Sequence, residues 1–315
     1  MRLMLYVATL GAWLGAVQCG GGNKTTGPTA PPPTTPGPPG TVPPTPTPTP
    51  IPTPSGPVTF AGAGDIAYCD ALDPARQTGR LLDGIGGYIF ALGDNTYFNG
   101  TAQEFHDCYE PTWGRHKGRT LPVPGNHDYT SPGARPYYDY FGLSAAPSGL
   151  DYYSQDLSSN WHVIALNSNI PATEGSPQGQ WLKADLAANT KKCTIAYWHH
   201  PLFTSGPNGP QTYMRDFWRM LYNANVDIIL SGHDHLYERF APQDQDGRPD
   251  PQRGIRQFTV GTGGAFLYDF VRTSANSEVR LKAFGVLKLT LLTDTYQWDF
   301  IPLSGAGDSG SSACH

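Results

Sequence analysis

Five short apolar runs in this chain each end in side chains that can hold a metal ion. "PVTFAGAGD" ends at Asp65, "GGYIFALGD" at Asp94, and "RTLPVPGNHD" at Asn126, His127 and Asp128. "KCTIAYWHH" ends at His199 and His200, and "NVDIILSGHDH" at His233, Asp234 and His235. Singly, an Asp after a strand reads as a cap or turn residue, and a lone His as a packed, hydrogen-bonded side chain. Five such endings in succession exceed what chance supplies. Oxygen and imidazole donors without cysteine suit Fe, Mn or Zn, and a carboxylate has two oxygens with which to bridge a pair of ions. Two ions about 3.5–4 Å apart can clamp the attacking and leaving oxygens of a phosphoryl group in line. They would also neutralise a phosphate that an acidic protein otherwise repels.

These side chains need rigid carriers. The five runs read as strands, and Gly64, Gly93, Gly125 and Gly232 stand just before four of the polar groups, where a close approach or sharp turn is needed. Between the strands, "DPARQTGRLLDGI" predicts a helix with Asp73 as its N-cap and Pro74 at the first helical position. "GSPQGQWLKADLAAN" places Trp181, Leu182 and Leu186 on one helical face, and "QTYMRDFWRMLYNAN" does the same with Tyr213, Phe217, Met220 and Leu221. Strand–helix alternation predicts a layered α/β fold, in which ligands collect beyond the carboxyl ends of strands. After His235 the segments "GIRQFTVGTGG", "GVLKLTLLT" and "TYQWDFIPL" predict antiparallel additions rather than further βαβ units.

The ordered set "GD…GDNTY…GNHD…H…GHDH" resembles the calcineurin-like metallophosphoesterases and, more narrowly, the purple acid phosphatases, over roughly Val58 to Leu303. "HLYERF" and "VGTGGA" are similar to stretches of that branch. The resemblance implies an α/β fold, a four-layer α/β/β/α sandwich of two mixed sheets flanked by helices. It implies two divalent or trivalent metal ions, Fe paired with Fe, Zn or Mn. Asp65, Asp94, Tyr97 and His235 would hold the first ion; Asp94 as the bridge, with Asn126, His199 and His233, would hold the second. The implied reaction is hydrolysis of phosphomonoesters by in-line attack of a metal-bound hydroxide, with His127 protonating the leaving oxygen. Asn126, His127, His200 and Asn208 would surround the ester. A phosphodiesterase or nucleotidase of the same fold is the nearest alternative. A stalked, noncatalytic surface binder with a decayed site belongs to another class, and the filled ligand positions speak against it.

Tyr97 explains a gap in the pattern. Most metallophosphoesterases resemble D-x-H at the first motif, whereas this chain reads Asp65-Ile66-Ala67. A phenolate three residues after Asp94 supplies the missing donor, and phenolate suits ferric iron. Two positions depart from the purple acid phosphatase pattern: Ala67, where Gly is usual, and Asn208 in "NGP", where the animal enzymes resemble H-G-P. The second departure leaves His127 as the acid alone or recruits His200. "NSNIPATEGSPQGQW" is expected as a loop over the site, and His106, His116 and His162 as surface or structural residues.

Bulk composition sets the surroundings. The 315 residues carry a net charge of −5, so no basic nucleic-acid binding surface is expected. Residues 1–18 have the length and placement of an export signal, too short to span a bilayer. Cys19, followed by "GGGNKTTGP", resembles a bacterial lipidation site, with ordinary signal cleavage as the alternative. Residues 19–57, rich in Pro, Thr and Gly, read as a disordered stalk, which leaves 58–315 as the folded domain. The chain is thus expected outside the cytoplasm, periplasmic or at the cell surface with a membrane tether through Cys19, otherwise secreted. Asn23 and Asn99 lie in N-x-T sequons. Cys69, Cys108, Cys193 and Cys314 permit three disulfide pairings, of which Cys69–Cys108 with Cys193–Cys314 is expected, against free buried thiols. Nothing in the sequence fixes the oligomeric state.

Overall fold

A computed structural model describes residues 56–315. The export signal, Cys19, Asn23 and nearly all of the stalk lie outside the described residues. Regular structure begins with β1 (Val58–Ala63), followed by the two-residue β2 (Ala67–Tyr68), helix α1 (Asp73–Asp83), β3 (Tyr88–Leu92) and the two-residue β4 (Thr96–Tyr97). A single turn α2 (Ala102–Glu104), β5 (Thr120–Val123), α3 (Arg135–Phe141), β6 (Tyr153–Asp156) and β7 (Trp161–Ala165) come next. Then follow α4 (Pro177–Ala188), β8 (Cys193–Tyr197), α5 (Arg215–Asn223) and β9 (Ile228–Ser231). The chain closes with β10 (Tyr237–Phe240), β11 (Arg256–Val260), β12 (Ser277–Leu281), β13 (Gly285–Leu291), β14 (Thr295–Pro302) and β15 (Asp308–Ala313).

Two mixed sheets result. The first has the order β15-β14-β13-β1-β3-β5, with β1, β3 and β5 parallel. The second has the order β12-β10-β11-β9-β8-β7-β6, with β7, β8, β9 and β11 parallel. Side-chain alternation assigns the faces. Val163, Ile195 and Ile228 join the core that also holds Phe60, Phe90 and Phe300 of the first sheet. Ile164, Ala196 and Ile229, their neighbours in sequence, pack instead against Leu182 of α4 and Phe217 and Leu221 of α5. Rings cross between the sheets: Phe60 meets Tyr197 at 5.7 Å and Tyr237 stacks on Phe300 at 4.1 Å. With α1 on β13, the layers run α/β/β/α. Each Phe fully buried there contributes about 1.5–3 kcal/mol relative to exposure.

Three local expectations need correction. Leu72, not Asp73, is the N-cap of α1, and Asp73 spends its carboxylate on Arg76 at 3.1 Å. Tyr213 does not share the buried face of Phe217 and Leu221, because it sits in the 3-10 turn before α5 and is 45% exposed. Among the late strands, β13 and β14 are antiparallel as expected, but β11 inserts parallel to β9. Its five residues are all buried, the mark of a strand covered on both faces.

Two disulfides, Cys69–Cys108 and Cys193–Cys314, have the expected pairing. The second ties the start of β8 to the residues beyond β15. Of the three histidines left aside as surface or structural, His106 is exposed, His116 is buried against the Gly79 carbonyl at 3.0 Å, and His162 bridges two carboxylates.

Candidate metal centre

The carboxyl ends of β1, β3, β5, β8 and β9 meet, and the chain turns sharply as it leaves three of them. Asp65, Asp94 and His233 have φ of 59°, 49° and 70°. Left-handed backbone costs a residue with a Cβ about 1–2 kcal/mol, so three such residues at strand ends mark a cluster that the surrounding fold holds in place. Glycines make room for it. A Cβ on Gly93 would lie 2.7 Å from His199 Nδ1, and one on Gly125 would lie 2.1 Å from Asp94 Oδ1.

The site side chains converge on two atoms. The Tyr97 hydroxyl lies 2.7 Å from Asp65 Oδ1, 3.1 Å from Asp94 Oδ2 and 3.0 Å from His235 Nε2. Short parallel pairing of β2 with β4 carries Tyr97 to that point. His199 Nε2 lies 3.2 Å from Asp94 Oδ2, 3.2 Å from Asn126 Oδ1 and 3.3 Å from His233 Nδ1. Asp94 Oδ2 is therefore common to both groups. The sequence suggested that the two oxygens of Asp94 would be divided between the groups; instead Oδ1 accepts the His127 backbone N–H at 2.8 Å, and Oδ2 alone faces both. Asp65 is arranged alike, its Oδ2 accepting the His233 N–H at 2.9 Å.

Backbone carbonyls orient the imidazoles. Nδ1 of His199 lies 2.7 Å from the Leu92 carbonyl, Nδ1 of His235 2.6 Å from that of Phe266, and Nδ1 of His127 2.7 Å from that of Phe98. An Nδ1–H donated to a carbonyl leaves Nε2 with its lone pair free, the tautomer a metal needs. His127 is partly exposed (29%), and its Nε2 lies 4.0 Å from Asp94 Oδ2.

The electrostatics follow from burial. Burial disfavours the Asp94 carboxylate, yet His199 and His127 outweigh it and hold that group well below the usual carboxylate range. Burial and the Asp65 and Asp94 charges push the Tyr97 phenol well above its ordinary value. His199 loses to burial but gains more from Asp94, reaching about 9. His200 is different: burial, with His199 and His233 nearby, pushes it down to about 2. Its Nδ1 lies 2.7 Å from Ser168 Oγ, and its ring lies 4.4 Å from that of His233. Asn208 turns its amide to the His233 carbonyl at 2.7 Å, so it braces that histidine. The loop expected over the site contributes Ser168 to its edge, and its later part is the start of α4.

Some contributors were given no role from the sequence. Asp128 is fully buried, and burial with the nearby Asp94 charge raises it to about 7. It accepts hydrogen bonds from Gly125 N at 2.8 Å and Asn95 Nδ2 at 3.0 Å, tying two of the strand-end loops together. The fourth letter of "GNHD" was the available signal. Phe98 and Phe266 act through backbone carbonyls, which leave no mark in a sequence.

The donor set fits cations. Asp65 and Asp94 are buried carboxylates beside a phenol, and among the described residues their ion pairs come from histidines alone, with no Lys or Arg. Such a group is costly without compensating positive charge. One donor atom each from Asp65, Asp94 and His199 lie within 4.8 Å of one another, as do one each from His199, His200 and His233. A third cluster, Cys193, Asp227 and Cys314, is no metal site, since both cysteines are in the disulfide.

Comparison with known proteins places this geometry. The family model described as calcineurin-like phosphoesterase matches residues 59–237. Purple acid phosphatase 21 of Arabidopsis thaliana is 30% identical over 263 residues, 75% of this chain and 57% of that protein. Tartrate-resistant acid phosphatase type 5 of Mus musculus is 25% identical over 208 residues, 55% of this chain and 62% of that protein. Purple acid phosphatase PPD1 from yellow lupin (Lupinus luteus) seeds superimposes with a TM-score of 0.69 at 20% identity, covering 84% of this chain and 55% of that one. GAP50, described as the anchor in the inner membrane complex of Plasmodium, does so with a TM-score of 0.61 at 16% identity, covering 83% of this chain and 90% of that one. The last two show the shared fold. The chain spans little more than half the length of the plant relatives it matches.

Proposed function

The chain belongs to the calcineurin-like phosphoesterase family, and from that premise we propose that it is a two-metal hydrolase of phosphomonoesters. The observation that carries this reading is Asp94 Oδ2, 3.1 Å from the Tyr97 hydroxyl and 3.2 Å from His199 Nε2. Asp65, Tyr97 and His235 would share one cation with Asp94, and Asn126, His199 and His233 the other. A bound pair of cations supplies neutralisation of the phosphoryl charge and an acidified water.

The chain's own residues do the rest. The carbonyls of Leu92 and Phe266 fix the rings of His199 and His235, so the ligand atoms are set before substrate arrives. His127 keeps its Nδ1 on the Phe98 carbonyl, so an imidazolium there offers its Nε2 proton to the leaving oxygen. His200, held neutral by burial, is unsuited to be that acid at neutral pH. Tyr97 as phenolate selects ferric iron for the first position, with Fe, Zn or Mn at the second. An enzyme of this kind gives Asp94 a reason to be buried between Tyr97 and His199; a noncatalytic binder gives none.

The same reading extends to place. Two disulfides suit an oxidising compartment, so the domain from residue 58 onward would be exported and held on its Pro/Thr/Gly stalk, by lipid on Cys19 where that cysteine is modified. Mass spectrometry of the mature N-terminus checks that arrangement. Metal analysis of purified protein beside a phosphomonoester assay tests the catalytic proposal; metal-free protein with no turnover after addition of iron and zinc would refute it.

A further inference from the structure

Among the described residues His235 is the only histidine stacked face to face on another ring. The Tyr268 ring lies 4.2 Å from it, centroid to centroid, with 11° between the planes. The other imidazoles of the site meet their neighbours tilted or edge-on. His199 and His233 cross at 75°, His199 and His200 at 83°, His200 and His233 at 52°, and His127 and Tyr97 at 47°.

Tyr268 is half-buried, and its ring joins neither hydrophobic core. The backbone holds it in place. In the segment between β11 and β12, the Ala265 N–H donates to the Asp65 carbonyl at 2.9 Å, the Tyr268 N–H to the His235 carbonyl at 2.9 Å, and the Val271 N–H to the Ser205 carbonyl at 3.1 Å. The segment is thus pinned to three of the loops that build the site, and Tyr268 lies against the histidine to which its own N–H is bonded.

Two contacts therefore set the His235 ring. Its Nδ1 lies 2.6 Å from the Phe266 carbonyl. A hydrogen bond in the ring plane leaves the ring free to tilt about it, and a parallel ring on one face opposes that tilt. Nε2 is then kept aimed at the cluster, 3.0 Å from the Tyr97 hydroxyl and 3.2 Å from Asp65 Oδ1. The stack also responds to the charge beyond it. An imidazole that gives its lone pair to a cation becomes electron-poor, and the face of a phenol is electron-rich, so their attraction grows when the cation binds. By linkage, whatever the cation adds to the stack, the stack adds to cation binding.

We propose that Tyr268 is a positioning residue for the first cation: its ring fixes the plane of His235 and, through the stack, tightens that histidine's hold on the ion. This rests on the two-metal reading given above. The hydroxyl of Tyr268 has no part in it; the ring face does.

The test compares metal retention in the wild type, Tyr268→Ala, Tyr268→Leu and Tyr268→Phe, each loaded with iron and zinc. Samples are equilibrated with graded EDTA, and iron and zinc per chain are measured by elemental analysis. Tyr268→Ala and Tyr268→Leu should release iron at about two- to tenfold lower chelator concentration, the size of an aromatic pair's contribution, with zinc released as in the wild type. Tyr268→Phe, which keeps the ring face, should retain iron as the wild type does. A loop merely loosened by substitution would release both metals early, so the split between them separates positioning from general damage. Iron held equally tightly in all four proteins overturns the proposal. So does an equal loss of iron and zinc, or a Tyr268→Phe variant as weak as Tyr268→Leu. Retention is read without turnover: a wild type that binds both metals and hydrolyses no phosphomonoester removes the phosphomonoesterase reading, while the stack is still judged on iron release. A wild type that binds no metal removes both.

Discussion

The Asp94 carboxylate and the Tyr97 phenol, three residues apart, meet at 3.1 Å, on the oxygen of Asp94 that also lies 3.2 Å from His199 Nε2. The phenol thus belongs to the same cluster as the imidazoles and is not a rim residue. Burial and two carboxylates oppose its ionisation, so only a strongly Lewis-acidic cation would draw out a phenolate there. Iron-loaded protein should show a visible charge-transfer band that Tyr97→Phe abolishes. Absorption spectra decide it; an undiminished band in that variant sinks the assignment.

His127→Ala should retain both metals while losing about 10²–10⁴ in turnover on alkyl phosphates, the usual worth of a positioned proton donor. The loss should shrink for p-nitrophenyl phosphate, whose leaving group needs no proton. Metal content and kcat on the two esters are the readouts. Equal losses on both would remove His127 from that role.

His162 on β7 holds Asp156 through Nδ1 at 2.8 Å and Asp185 through Nε2 at 3.1 Å, joining β6 to α4 across the sheet edge. Burial works against its charge, but Asp185 and Asp156 prevail and raise its pKa. A raised folded-state value means that the stabilisation is complete below the unfolded value of about 6.5 and is lost as pH rises through the folded one. His162→Asn should therefore cost about 1.5–3 kcal/mol near pH 5 and clearly less in alkaline buffer. Urea unfolding at several pH values tests this, and a cost that grows with pH would contradict it.

The Cys193–Cys314 bridge closes a loop with a sequence separation of 121, against 39 for Cys69–Cys108. Replacing both cysteines of the larger loop by Ser should cost about 2–5 kcal/mol while leaving the metal-bound spectrum intact, because the bridge lies away from the cluster. Chemical denaturation with parallel spectra reads both effects. Loss of metal in the folded variant would show that the bridge acts on the site.

Much of this arrangement was legible in the sequence because it depends on residue type. Asp65, Asp94, Asn126, His199, His233 and His235 announce themselves at the ends of apolar strands, and the missing histidine at Ala67 points to Tyr97. The strand-end glycines were legible for a similar reason, since a Cβ at Gly93 or Gly125 would strike the site. What stayed hidden depends on backbone atoms and tertiary context. The carbonyls of Leu92, Phe98 and Phe266 belong to every residue alike, so their role in aiming three histidines carries no signature. Tyr213 shares the spacing of Phe217 and Leu221, but the helix starts after it and leaves its ring outside. The parallel pairing of β11 with β9 is set by which neighbour buries it, which a short apolar run does not reveal.

The central claim is that one carboxylate serves two cations. Metal analysis of Asp94→Ala beside the wild type tests it most directly, with phosphomonoesterase activity followed on the same samples. The wild type should carry close to two metal ions per chain and hydrolyse a phosphomonoester, and the variant should lose both ions along with turnover. A folded variant that keeps its full metal complement, or a wild type that turns over without any, would contradict the account.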